Sequence, residues 1–162
     1  MTACQIDRNV NPGKAMNIKQ GLAGALAAAA MGCVMPASAH HSTAGFDSSV
    51  VVAVEGTVTQ FRWINPHASI KVDGKPMVEG KPSSTFPNGV YTVEMTAPIA
   101  LVNAGWKRSS LKVGDKVTIF LNPMRNNAVL KDGSQGGLYV GAILQDGEKL
   151  GRTDGKGAGT AD

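Results

Sequence analysis

Three histidines carry most of the chemistry this sequence can offer. His40 and His41 are adjacent, and both directly follow Ala37-Ser38-Ala39, a small-residue A-x-A cleavage signal. Cleavage after Ala39 makes His40 the N-terminal residue. Its free α-amino group and its imidazole Nδ1 then chelate one metal ion together, and a third nitrogen completes a T-shaped, brace-like site. Amine and imidazole nitrogens suit copper, which heads the affinity order of the divalent first-row metals. His67 is the expected third ligand, carried by the loop after the first long strand. His41 is an alternative ligand, because the intervening amide also closes a chelate. Asp47 and Asn65 are the expected outer-shell partners that would orient an imidazole. The competing reading of the histidines is a solvated tail for the first two and a turn-capping role for His67.

Trp63 and Trp106 are the two tryptophans. Each lies at an element end and is expected on a ligand face, where an indole can stack on a planar ring. The competing reading makes both of them plugs at the ends of a barrel. Arg62, Lys71, Lys107, Arg108 and Arg125 read as scattered solubilising charge. Met77, Met95 and Met124 are too far apart for a methionine copper box. No HExxH, paired-cysteine or EF-hand pattern is present, so structural zinc or calcium is not expected. Nor is there a G-x-S-x-G elbow or a cysteine nucleophile in the exported part. Ser42, His41 and Asp47 have the residue types of a triad, but lie on a terminus without a preformed geometry. The chain is therefore expected not to be an enzyme.

The elements that would position these residues begin after a leader. Residues 1–39 have a basic start at Lys14 and Lys19 and an uncharged small-apolar stretch from Gly21 to Val34. That is the pattern of a secretory signal peptide, with Met16 as a possible true start. The apolar stretch falls short of the ~20 residues a membrane span needs, so no stable membrane insertion is expected after cleavage. The whole 162-residue chain has 16 basic and 12 acidic residues, a net charge of +4. Removing the leader takes away Arg8, Lys14, Lys19 and Asp7, which brings the net charge to +2. Both cysteines, Cys4 and Cys33, leave with it, and all three histidines stay. The remaining 123 residues are too weakly basic to point to a nucleic acid and carry no disulfide.

Residues 50–63 are dominated by Val and Thr and read as a long strand. Val54, Gly56, Val58 and Gln60 would share one face, with Glu55, Thr57, Thr59 and Phe61 on the other. Gly56 suggests a bend. After the Asn65-Pro66 break, residues 67–72 form a second strand. Residues 73–88 read as either a hairpin extension or a loop. Residues 90–95 form a third strand, and residues 98–105 a short helix with Thr96 available as its cap. Residues 116–121 and 136–144 give two more strands, and residues 148–150 a short return strand. The expected core is Val52, Val54, Val58, Ile70, Val93, Leu101, Val117, Ile119, Leu138, Val140 and Ile143. Residues 151–162 have no periodicity and read as a disordered tail. Five strands with one helix between the third and fourth predict an all-β domain over residues 40–150, a five-stranded OB-like Greek-key barrel.

His40-His41-Ser42, Phe46-Asp47, Gly56-Thr57-Val58, Trp63-Ile64-Asn65-Pro66-His67-Ala68, Gly105-Trp106, Leu111-Lys112-Val113-Gly114-Asp115 and Asp146-Gly147-Glu148-Lys149-Leu150 follow in order. In these motifs, over roughly residues 40–150, the chain resembles the DUF6152 family of small exported bacterial proteins. It departs in a longer segment around residues 76–87. The resemblance implies export and a small β-barrel and assigns no activity. The combined expectation is an exported binding protein, periplasmic or secreted, that holds copper or another transition metal. The alternative is a barrel that binds a small ligand or a periplasmic protein partner without metal.

Overall fold

The structure is a computed structural model and describes residues 43–157. Seven strands and one α-helix follow a short 3-10 turn at Thr43–Gly45: β1 (Val52–Arg62), β2 (Ser69–Val78), β3 (Lys81–Pro82), β4 (Gly89–Glu94), α1 (Pro98–Asn103), β5 (Lys116–Pro123), β6 (Gln135–Ile143) and β7 (Lys149–Gly151). A second 3-10 turn, Arg125–Asn127, lies between β5 and β6.

Strand β1 pairs with both β2 and β5, which closes the sheet on itself in the order β1-β2-β4-β6-β5. All pairs are antiparallel except β4 with β6. This is the order of the OB-type barrel, with α1 in the expected place between β4 and β5. The β-branched run of β1 explains why that strand can serve both neighbours, since Val and Thr suit a pleated surface with contacts on each side. At Gly56 the closure is tight, because a Cβ there would lie 2.3 Å from the Asp73 carbonyl oxygen and 2.7 Å from the Gly74 Cα. Gly56 and Gly74 face each other in the register, and their missing side chains let the two backbones meet.

The core holds Val52, Val54, Val58, Ile70, Val93, Leu101, Val117 and Ile119, as expected. It also contains Val72, Tyr91, Met95, Trp106, Leu121, Ala142 and Leu144. Two strands depart from simple alternation. A bulge between Val58 and Gln60 resets the parity of β1, so Phe61 packs against the core although it was expected opposite Val58. On β6, Leu138, Val140 and Ile143 are only half-buried, while Tyr139 packs on the core and Ala142 is buried. The register shifts between β5 and β6 at Phe120/Leu121, pairing Phe120 with Gly141 and Leu121 with Tyr139, which leaves Val140 as the extra residue.

Residues 73–78 continue β2, and Glu79-Gly80 turns the chain into β3, so the segment is a hairpin extension. Helix α1 has Ala97, not Thr96, at its N-cap and no side-chain cap bond. Leu101 faces the core, while Ile99 and Val102 are exposed. Residues 151–157 touch the barrel at two points, and the rest of the expected tail, residues 158–162, lies outside the described residues. The Arg152 N–H donates to the Val140 carbonyl at 3.0 Å, and Gly157 lies so close to the Ser49 carbonyl that a Cβ there would come within 2.0 Å.

Candidate functional site around His67

The loop between β1 and β2 is fixed at both ends. The Ala68 N–H donates to the Thr96 carbonyl at 3.2 Å and the Met95 N–H to the Ala68 carbonyl at 2.9 Å, which extends the β2–β4 ladder one step past Ser69 and Glu94. Arg108 Nη2 donates to the Trp63 carbonyl at 3.2 Å. The Asn65–Pro66 peptide bond between these anchors is cis. His67 thus stands one alternation before Ser69, diagonally across from Glu94, a spacing that long side chains bridge.

His67 Nδ1 lies 2.7 Å from Glu94 Oε1. Their side chains are 29% and 36% exposed, so the contact is partly shielded from solvent. A carboxylate offers only lone pairs, so Nδ1 carries the hydrogen, and in the neutral ring Nε2 holds the lone pair. A carboxylate that orients one ring nitrogen while the other coordinates is the usual support of a metal-bound histidine. Among the described residues no group of three or more His, Cys, Asp or Glu side chains could hold a metal. This part of the chain therefore offers an oriented imidazole, not a complete site.

Further along the same outer face, Lys71 Nζ lies 2.5 Å from Asp132 Oδ2. The Ser134 hydroxyl donates to Asp132 Oδ1 at 2.6 Å, and Thr92 and Ser134 share a 2.7 Å hydroxyl contact. The Lys71 ammonium and the Ser134 donors hold the Asp132 carboxyl well below the usual carboxylate range. These bonds pin the β5–β6 loop against β2 and β4.

The remaining expected residues fall in different places. His40 and His41 lie outside the described residues. Asp47 does not orient His67. Its Oδ1 accepts from the Ser49 N–H and hydroxyl at 3.1 and 2.6 Å, bonds that lower its pKa. Its own N–H donates to the Pro123 carbonyl, which places it at the end of β5. Across the register Pro123 lines up with Gly137 of β6, Val93 of β4 and Ile70 of β2, while β1 joins this end of β5 to the far end of β2, so Asp47 is on the other side of the barrel wall from the histidine loop. Asn65 is exposed at the cis turn. The carboxylate beside His67 is Glu94, which the sequence reading missed. The alternation of Tyr91, Val93 and Met95 inward put Glu94 outward, but its partner appears only once β2 and β4 are aligned.

Trp106 is 1% exposed, so it offers no ring to a ligand. Its Nε1–H donates to the Tyr139 hydroxyl at 3.1 Å, and that hydroxyl donates to the Leu150 carbonyl at 2.7 Å. Trp106 is a core plug. Trp63 is half-buried, edge-on to Phe61 with centroids 5.6 Å apart, and stays on the histidine loop. Among the expected scattered charges, Lys71, Arg108 and Arg125 each have a specific partner, Arg125 Nε donating to the Ala44 carbonyl at 2.9 Å.

The fold and loop together define a small closed β-barrel that presents a carboxylate-oriented histidine at one end. The chain belongs to the DUF6152 family, a family of unknown function whose model matches residues 27–138. No curated protein and no solved structure matches the chain.

Proposed function

We propose that this protein is exported to the periplasm, loses its leader after Ala39, and binds a transition metal ion, copper favoured, without catalysis. His67 would coordinate through Nε2, Glu94 would hold its ring in place, and His40 would supply the α-amino and imidazole nitrogens, with His41 as the alternative donor. The observation that carries the reading is the 2.7 Å contact between His67 Nδ1 and Glu94 Oε1.

Elemental analysis of protein recovered from the periplasm with its native N-terminus, together with its intact mass, tests the proposal. The reading expects a mass that begins at His40 and close to one equivalent of copper. A different N-terminus would remove the brace, and metal-free protein that does not take up copper would remove the function.

One observation favours the second reading, a barrel that binds a ligand or protein without metal. Ile64, next to Trp63 on the same loop, is 45% exposed. A partner captured from periplasm through this loop and retained in the presence of a chelator would favour it.

A further inference from the structure

A groove lies on the outside of the barrel, at the ends of β1 and β2 away from the histidine loop. Its volume is about 630 Å³, within the range of small-molecule sites. Ala53 and Glu55 of β1, Phe120 of β5 and Ile143 of β6 form its floor, and the β2–β3 hairpin forms one wall at Met77 to Gly80. Residues 153–157 pass over it as a strap. The strap leaves β7 at Gly151 (φ 73°), bends again at Gly155 (φ 70°), and ends against Ser49 at Gly157.

This face explains why Ile143, expected in the core, is half-buried: it points into the groove, not the barrel. Phe120 likewise lies outside the main core cluster while only 7% exposed, shielded within the groove floor. The charge around this apolar floor is unequal. Glu55, Glu79 and Asp154 line it, against Lys156 alone among the basic residues. Asp154 is partly matched by Arg152 Nε at 3.7 Å. That leaves Glu55 on the floor and Glu79 on the hairpin as the carboxylates facing an occupant. Lys75 stands opposite Glu55 in the ladder but does not line the groove.

We infer that this groove binds a small amphipathic molecule with an apolar body and a cationic head. The body would lie on Phe120 and Ile143 beneath the strap, and the head would sit over Ala53, between Glu55 and Glu79. Apolar burial supplies the affinity, and the carboxylates select the sign of the head group.

The test uses the full mature chain and three probes below their micellar concentrations: decyltrimethylammonium, decyl sulfate and an uncharged decyl glycoside. Binding is read by calorimetry and by methyl NMR shifts at Ala53, Thr118 and Ile143. The inference expects the cationic probe to bind at least about tenfold more tightly than decyl sulfate, with shifts confined to those methyls. Ala53→Phe fills the floor and should abolish the shifts. The double variant Glu55→Gln, Glu79→Gln should bring the cationic probe down to the affinity of the glycoside and leave the glycoside unchanged. Both variants change outer-face positions, and far-UV circular dichroism checks that each folds. Equal binding of both ionic probes would overturn the inference. So would shifts located elsewhere, or a folded Ala53→Phe protein that binds as the wild type does.

Discussion

Glu94 and His67 are 27 residues apart in sequence, yet their side chains meet at 2.7 Å across the β2–β4 ladder. The Ser69–Glu94 pairing and the bonds of Ala68 to Thr96 and Met95 fix the backbone on both sides of that contact. The imidazole is therefore oriented by the barrel, not by the terminus that would complete a metal site. Glu94→Gln keeps a hydrogen-bond acceptor but removes its charge. Copper affinity, measured by competition with a chelator of known strength, is expected to fall by about 10–100-fold. The melting temperature should hardly change, because a partly exposed pair contributes at most ~1 kcal/mol.

The two tryptophans should separate cleanly in a denaturant titration. Trp106→Ala removes a buried plug and leaves the Tyr139 hydroxyl oxygen without its donor, so a loss of about 3–5 kcal/mol is expected. Trp63→Ala removes a half-buried ring from a loop and should cost clearly less. Equal losses would contradict the assignment of Trp106 to the core and Trp63 to the loop.

Much of this architecture is legible in the residues. The Val- and Thr-rich run of β1, the helix opened by Pro98 and closed by Gly105, and the spacing of five strands point to a closed barrel with its helix in the right place. The bulges were not legible. Thr59 and Val140 are ordinary strand residues, and nothing in Gln135–Ile143 picks a core side when apolar residues occupy both faces. The site was half legible for a related reason. His67 was identifiable from residue type and its Asn-Pro break, but its carboxylate lies on a strand whose register no local pattern reveals. Asp47 was nearer in sequence to the N-terminal histidines, and it serves a turn with Ser49.

Both tyrosines of the chain should titrate late. Burial pushes Tyr91 up to about 12, and burial pushes Tyr139 up to about 12 against a small opposing effect of the Trp106 N–H. The folded values exceed the unfolded value near 10, so their contribution to stability is complete below pH ~10 and is lost as pH rises through ~12. Tyrosinate absorbance should stay flat near pH 10 and rise together with unfolding. A normal titration near pH 10 in folded protein would contradict the burial of both hydroxyls.

The β5–β6 loop should depend on one surface cation. Lys71→Ala removes the partner of Asp132 and loosens the Asp132–Ser134–Thr92 chain that holds the loop on β2 and β4. Amide exchange across residues 125–134 should speed up several-fold while exchange in β1 is unchanged. High salt should produce a weaker version of the same effect in the wild type. Unaltered exchange in the variant would mean the loop is held by its backbone bonds alone.

Copper titration of the mature chain beginning at His40, wild type against His67→Ala, tests the central claim most directly. The account predicts one tight equivalent in the wild type and an affinity at least about 100-fold weaker in the variant, a difference of roughly 2.7 kcal/mol, with both proteins folded. Identical affinity in the two proteins, or no tight equivalent in the wild type, would contradict it.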